Sequence, residues 1–323
     1  MIPEIRVPAH EPLVHLLRDG MVEGVHHGSA VVLAPDGRVL FSAGDVEAAF
    51  YPRSAAKPLQ ATAMARLGVE LSPAGFAVGA ASHSGEEIHL AEVRRTLDGA
   101  GLTTEDLRTP EDLPFDPVER DAWVSAGQGA SRSAHNCSGK HAAMLATCRL
   151  HGWSTKDYLD PGHPLQRAIA DCVENLTGQR IPKVAVDGCG APLFAVSLRG
   201  LATAVGKIAS AAPGTPEGLV AEGIRKHPEL VAGTRRDVTA LMRAVPGLIA
   251  KDGFEAVQVA ALPDGTAIAV KIADGGDRAR QPVLAAALEL CGVDRDVLKP
   301  FAGTTGTDGL RVTGALAEHH LAA

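Results

Sequence analysis

The apolar and polar residues near both ends of the chain predict β-hairpins. Each predicted hairpin consists of two short apolar runs joined by an Asp-Gly turn, which is a strong hairpin signal. The runs cover residues 29–34 and 39–43 near one end and residues 256–260 and 267–272 near the other. We therefore expect two pairs of antiparallel strands, separated by more than half of the chain.

Between the hairpins, apolar residues recur at the spacing of helix faces. Ser84 and Glu87 have the spacing of a capping box for the helix that begins at Ile88. Residues 101–123, rich in Pro and Asp, are expected to form a long surface connection. The predicted helices cover residues 57–67, 88–97, 142–151, 164–177, 199–211, 216–226 and 235–243, and one more follows the second hairpin at residues 281–291.

This order of elements indicates an α+β fold. The terminal hairpins are expected to pair into one antiparallel sheet, with the largely helical middle forming a lobe beside it. We expect a single domain over residues 1–323, in which residues 13–53 and 248–300 form the sheet part and residues 54–247 the helical lobe. The two junctions between sheet and lobe would then meet at a cleft, where small-molecule sites tend to form.

The composition is that of an ordinary globular protein, with 46% apolar and 21% charged residues. Aromatic residues make up only 3%, so Ala, Val, Leu and Ile are expected to build the core. A net charge of −7 argues against a nucleic-acid partner. No apolar run approaches the ~18 residues that a transmembrane helix needs, so we expect no membrane partner.

The cysteines and the first residues of the chain indicate a cytoplasmic protein. The five cysteines are odd in number and widely spaced, and the start shows no signal-peptide pattern. We therefore expect reduced thiols in a reducing compartment. Cys148 and Cys172 lie at apolar positions of predicted helices and are expected to be core residues.

Ser54 and Lys57 lie three residues apart where a loop changes to a helix. Pro58 cannot donate to the Ser54 carbonyl oxygen, so Ser54 should lie in the first helical turn or just before it. A lysine that burial has deprived of its proton can act as a base toward a nearby serine. The pattern is common by itself, and a helix cap beside a surface lysine is the ordinary alternative.

Five blocks of sequence carry a resemblance to a known family. They lie at residues 53–58, 81–84, 136–141, 187–189 and 227–233. On these blocks the chain resembles the L-asparaginase II family, the thermolabile, Rhizobium-type asparaginases. The resemblance implies a serine β-lactamase/glutaminase-like fold, a small-molecule substrate (L-asparagine) and a homodimer.

The resemblance also implies site residues. The catalytic ones are two Ser-Lys pairs, Ser54 with Lys57 and Ser82 with Lys251, and a zinc site uses Cys137, Lys140 and Cys189. Two features depart from β-lactamases. Asp252 stands in the middle of the Lys-Asp-Gly element at residues 251–253, and Ser82 follows Ser54 by only 28 residues (82 − 54). Both make a β-lactam substrate a weaker expectation.

Zinc is the expected cofactor, in a tuning rather than catalytic role. The thiolates of Cys137 and Cys189 suit zinc, but Lys140 must be neutral to bind it. His135 or Asp187 could serve as the third ligand instead. The alternative is a pair of half-buried thiols without a metal.

Four further residues are candidates for substrate binding: Arg53, Asn136, His141 and Asp187. Arg53 is placed to meet the substrate's α-carboxylate or, alternatively, to pack its stem beside the helix. Ser54 is the expected nucleophile, although Ser82 could exchange roles with it. Ser82 as a turn residue and Lys251 as a surface lysine are the structural alternatives.

The expected reaction is hydrolysis of L-asparagine to L-aspartate and ammonia through an acyl-enzyme. A glutaminase is the nearest alternative, because one methylene is worth only about 1–3 kcal/mol in a pocket. A β-lactamase-like serine hydrolase is more distant. A metal or thiol sensor built on Cys137 and Cys189 would explain the cysteines but not the serines and lysines.

Overall fold

The computed structural model describes residues 7–304 and 306–321. The strands in these residues belong to one large sheet and two small ones. Their bounds are β1 (Glu11–Arg18), β2 (Met21–Leu33), β3 (Val39–Ala43), β4 (Ala49–Phe50), β5 (Val184–Val186), β6 (Pro192–Phe194), β7 (Val196–Ser197), β8 (Ile249–Gly253), β9 (Val257–Ala261), β10 (Ala267–Ile272) and β11 (Gly309–Val312).

Most of the helices lie between β4 and β8. Their bounds are α1 (Lys57–Arg66), α2 (Pro73–Gly79), α3 (Glu87–Gly99), α4 (Pro117–Ser125), α5 (Ser138–His151), α6 (Pro164–Thr177), α7 (Leu198–Ala209), α8 (Pro216–Lys226), α9 (Pro228–Val231), α10 (Asp237–Ala244), α11 (Arg280–Leu290), α12 (Arg295–Leu298) and α13 (Gly314–Leu321). None of the described helices combines the length and the apolar character needed to cross a membrane.

Strands from both ends of the chain form the large sheet, in the order β11-β1-β2-β10-β9-β8, with β3 also paired to β2. Ala30 of β2 lies opposite Ala43 of β3 on one side and opposite Val270 of β10 on the other. The predicted α+β fold, with one antiparallel sheet built from both terminal hairpins, is therefore confirmed.

The sheet has more strands than the sequence pattern predicted. A turn at Asp19-Gly20 joins β1 to the first half of β2, and both residues have positive φ. The dipeptide is the same hairpin signal that marked the other two hairpins, but the basic and exposed residues around it obscured the strands. Lys251, expected ahead of the second hairpin, lies inside β8. Strand β8 pairs with β9 at the edge of the sheet.

The predicted helices are found, with two differences nearby. The capping box at Ser84 and Glu87 was wrong, because Glu86 occupies the N-cap of α3 and the buried Ser84 hydroxyl has no partner. The Ser84 N–H instead donates to the Ala232 carbonyl oxygen. The predicted surface connection contains the start of α4, whose N-cap is Asp116.

Small apolar side chains fill the core, as the composition indicated. Helices α7 and α11 pack on the sheet, and α1, α2, α5, α6 and α8 pack on one another. A Cβ at Gly139 would lie 2.3 Å from the Val78 carbonyl oxygen, so α5 and α2 approach too closely for any other residue. Cys148 and Cys172 are buried in this core, which confirms the prediction. The division into sheet part and helical lobe at residues 53 and 248 stays a prediction.

Candidate active site

Ser54 lies in a single 3-10 turn, residues 53–56, that leads directly into α1. The Lys57 N–H donates to the Ser54 carbonyl oxygen, and Pro58 occupies the first turn of α1. The predicted position of Ser54 at a helix start is therefore confirmed. Ser54 is buried, and its hydroxyl makes no hydrogen bond within the described residues. The hydroxyl is thus available to a ligand.

Gly253 allows β8 to approach the turn that carries Ser54. A Cβ at Gly253 would lie 2.7 Å from the Pro52 carbonyl oxygen and 2.9 Å from the Ala55 nitrogen. Both distances are too short for a side chain, so only glycine permits this packing. The Lys-Asp-Gly element at residues 251–253 is thereby held against Ser54.

Lys57 contacts Ser82 rather than Ser54. Its Nζ lies 2.5 Å from the Ala81 carbonyl oxygen, 2.9 Å from Ser82 Oγ and 3.0 Å from Cys137 Sγ. Lys57 is buried and belongs to α1, so these contacts join the helix to two other sequence blocks. Lys57, the predicted partner of Ser54, is therefore hydrogen-bonded to the second serine, Ser82.

Lys251 is bound by Asp252 and not by Ser82. Its Nζ donates to Asp252 Oδ1 and to the Asp252 carbonyl oxygen, both at 2.7 Å. Burial lowers the pKa of Lys251 to about 8, although the Asp252 carboxylate acts against this shift. Burial would raise the pKa of Asp252, but Lys251 and Arg236 hold it well below its usual range.

The backbone around Ser82 is held by two other blocks. The Ser82 N–H donates to the Val231 carbonyl oxygen at 3.0 Å, and the His83 N–H donates to that of Asn136 at 3.0 Å. These bonds explain why the blocks at 81–84, 136–141 and 227–233 lie far apart in sequence but together in space. Asn136 itself accepts a hydrogen bond from the Cys137 thiol at 3.2 Å.

Arg53 and Asp187 form an ion pair beside the serine turn. Arg53 Nε lies 2.8 Å from Asp187 Oδ1, and the guanidinium lies 5.7 Å from the centre of the Phe254 ring. Arg53 has φ = 51°, a strained value for a residue with a side chain. Such strain persists only where the surroundings impose it, and the ion pair contributes to that constraint.

Cys137 and Cys189 interact closely enough that each shifts the pKa of the other. This interaction lowers the pKa of Cys189 well below its usual value and, together with burial, raises the pKa of Cys137 well above it. Lys140 Nζ lies 3.1 Å from Cys189 Sγ. Burial alone would lower the pKa of Lys140, but the Cys189 thiolate and other anionic neighbours raise it to about 12.

His141 is the fourth residue of a buried group that we call the thiol cluster. The cluster consists of Cys137, Lys140, His141 and Cys189. His141 shares a hydrogen bond of 2.8 Å between its Nδ1 and the Tyr158 hydroxyl, while its Nε2 is buried without a hydrogen bond. Burial lowers the pKa of His141, which favours the neutral ring. His135 Nδ1 accepts the Cys137 N–H at 3.0 Å, and burial lowers its pKa to about 4.

The thiol cluster can supply zinc ligands, but only with Lys140 among them. Within the described residues, no three His, Cys, Asp or Glu side chains are grouped closely enough to hold a metal. The two thiols, the Lys140 amine and the orphaned His141 Nε2 are nevertheless donors that suit zinc once Lys140 is neutral. The residues thus fit the predicted group, and zinc stays a prediction.

Ser54 and Ser82 both line one small cavity, which we call the serine cavity. Its volume is about 30 Å³, room for two or three water molecules. The lining residues are Ser54, Ser82, Phe115, Asn136, Arg236, Asp252, Gly253, Phe254 and Asp277. The sequence reasoning missed Phe115, Arg236, Phe254 and Asp277, although Arg236 comes only three residues after the block at 227–233.

Two serines thus line one cavity, Lys57 binds one of them, and Lys251 binds Asp252 of the same lining. A family model described as L-asparaginase II matches residues 14–317. The match covers most of the chain, so the chain belongs to the L-asparaginase II family. Membership supports an amidohydrolase activity. A search of curated proteins found no match.

Solved structures similar to this one include a β-lactamase from Mycobacterium bovis and a protein named Mglu. The β-lactamase shares 17% identity at a TM-score of 0.45, covering 80% of this chain and 94% of that one. Native Mglu shares 16% identity at a TM-score of 0.45, covering 83% of this chain and 66% of that one. These likenesses are too distant to bear on the reaction.

Proposed function

We propose that the protein hydrolyses the side-chain amide of L-asparagine to L-aspartate and ammonia through an acyl-enzyme on Ser54. The observation that carries the proposal is the shared cavity, where the unbonded Ser54 hydroxyl lies beside a Ser82 hydroxyl bound to Lys57 at 2.9 Å. Family membership supports the reaction class. We assign the nucleophile to Ser54 because its hydroxyl is free to reach a substrate, and we assign to Ser82 and Lys57 the task of removing its proton.

Ser82 is placed to relay the proton that Ser54 loses. In the form that acts as a base, the Lys57 amine donates to the Ala81 carbonyl oxygen and to Cys137 Sγ and accepts from the Ser82 hydroxyl. When Ser54 attacks the amide carbon, its proton passes to Ser82 and the Ser82 proton passes to Lys57. The reverse transfer delivers a proton to the leaving nitrogen, and ammonia departs.

Lys251 is proposed to assist the water that hydrolyses the acyl-enzyme. Burial brings its pKa to about 8, so a useful fraction of the amine is neutral in mildly alkaline solution. The start of α1 lies next to Ser54, and its positive end favours the oxyanion of the tetrahedral intermediate.

A bound zinc ion would be held by Cys137, Cys189 and Lys140, with His141 as the further donor at hand. It would supply positive charge that keeps the thiols ionised. None of the proton transfers above depends on it. The homodimer and the cytoplasmic location implied by the sequence also stay predictions.

Ammonia release from L-asparagine and L-glutamine, with hydrolysis of a chromogenic β-lactam assayed in parallel, tests the proposal. We expect kcat/KM for asparagine to exceed that for glutamine by about 10- to 200-fold, the value of one methylene in a fitted pocket. Rapid quenching should place an aspartyl group on the peptide that contains Ser54. A protein that consumes only glutamine or the β-lactam would contradict the proposal. A protein that binds zinc but hydrolyses none of the three would favour the sensor alternative.

A further inference from the structure

Arg236 carries an unused hydrogen-bond donor at the wall of the serine cavity. Its Nη2 donates to Asp252 Oδ2 at 2.6 Å, but its Nη1 is buried and has no partner among the described residues. A buried donor on a charged group is costly to leave unpaired, so such groups usually meet a ligand or water. The cavity that Arg236 lines is the place where a ligand would meet Ser54.

Arg236 is the cation among the residues that line this cavity. The Asp252 carboxylate is shared between the two cations Lys251 and Arg236, so one negative charge faces two positive ones. Asp277, the other acidic residue of the lining, is engaged by Arg280 Nε at 3.3 Å. Arg280 is itself shared with Asp237, and the carboxylate that Arg236 binds is shared with Lys251.

The guanidinium of Arg236 is also held in a defined orientation. It lies 4.9 Å from the centre of the Phe115 ring, and its Nη2 is anchored on Asp252. Arginine fixed by stacking and an ion pair presents its remaining N–H groups in a rigid geometry that matches carboxylates. The arrangement is prepared for an acceptor before any ligand arrives.

We propose that Arg236 binds the α-carboxylate of the amino-acid substrate while Ser54 attacks the side-chain amide. The inference rests on the proposed function, because it assumes that the substrate is an amino-acid amide. Arg53, which the sequence favoured for this role, is engaged by Asp187 and is not among the residues that line the serine cavity.

Three amides separate this role from a general structural one. L-asparagine and succinamate both carry the carboxylate, whereas 3-aminopropanamide is asparagine without it. Arg236→Gln should lower kcat/KM for the two carboxylates by about 10- to 150-fold, the worth of one charge-assisted hydrogen bond. It should change kcat/KM for 3-aminopropanamide little. An equal loss on all three amides, or no loss on asparagine, would overturn the proposal.

Two further variants guard against a folding artefact. Arg236→Lys keeps the positive charge beside Asp252 and should recover part of the loss on the carboxylates. Arg243→Gln removes an exposed arginine of α10 that pairs with Glu229, and it should behave as the parent protein does. Thermal unfolding of each variant shows whether the fold is intact.

If the protein releases no ammonia from any amide, the Kd for L-aspartate in the parent protein and in Arg236→Gln still tests the carboxylate site. A Kd for aspartate that rises by the same factor in Arg236→Gln would keep the carboxylate site and remove the proposed function. Binding that is absent, or equal in both proteins, would overturn the carboxylate site as well.

Discussion

Lys57 contacts two regions, the serine cavity and the thiol cluster, and the buried lysine beside each has a different pKa. On one side, the serine cavity contains an unbonded Ser54 hydroxyl and lies beside Lys251, whose pKa burial brings to about 8. On the other, the thiol cluster contains Lys140, whose pKa its anionic neighbours raise to about 12. Both lysines are buried equally deeply. The difference teaches that the summed effect of the neighbouring charges, rather than burial alone, decides whether a lysine can serve as a base.

The neighbouring charges explain why the pKa of Lys251 is lowered and that of Lys140 is raised. The pKa of Lys251 is lowered by burial and by the nearby Lys57 and Arg236, and it is raised by the Asp252 carboxylate that Lys251 shares with Arg236. Burial would lower the pKa of Lys140, but Cys189, Cys137 and Asp187 all raise it. We therefore expect chemistry on the cavity side and structural or metal-binding duties in the thiol cluster.

The largest expected effect comes from removing the nucleophile. Ser54→Ala should lower kcat for ammonia release by about 10⁴-fold or more, whereas Ser82→Ala should cost about 10²- to 10³-fold as the loss of a proton relay. Ser84→Ala is the matched control, because its buried hydroxyl has no partner and lies outside the cavity lining. Near-normal turnover in Ser54→Ala, with activity abolished in Ser82→Ala, would reverse the two roles.

A smaller effect is expected from pH. The folded-state pKa of Lys251 is lowered to about 8, so Lys251 is protonated below that pH and neutral above it. Activity that uses Lys251 as a base should therefore rise by about tenfold per pH unit below pH 8 and level off above it. Lys251→Met should flatten this limb of the kcat profile. A profile unchanged by that substitution would assign the titration to another group.

The smallest effect on turnover is expected from the thiol cluster. Cys189→Ser should lower kcat by about tenfold, the lower end of the roughly 10- to 100-fold that outer groups of a site typically contribute. It should also remove any zinc that the purified parent protein contains, as measured by atomic absorption. Cys291→Ser is the control, because that thiol bonds only the Ala287 carbonyl oxygen of its own helix. Zinc retained in full by Cys189→Ser would place the metal elsewhere.

Local sequence patterns predicted much of the fold because they act over short distances. The Asp-Gly turns marked two hairpins correctly, and α6 begins and ends where its apolar spacing indicated. The pattern failed at β1 and at Ser84. At Ser84, a tertiary hydrogen bond to Ala232 replaced the expected cap, and no local rule contains that competitor.

The sequence by itself determined the α+β class, the position of Ser54 at a helix start, and Ser54, Ser82 and Asn136 among the residues that line the cavity. Each of these follows from residue types and spacings within one segment or one block. The tertiary structure alone decided that Lys57 binds Ser82, that Asp252 joins Lys251 to Arg236, and that Arg236 rather than Arg53 lines the cavity. Such contacts join residues far apart in the chain, and their partners and pKa values depend on burial and charge that exist only once the chain has folded.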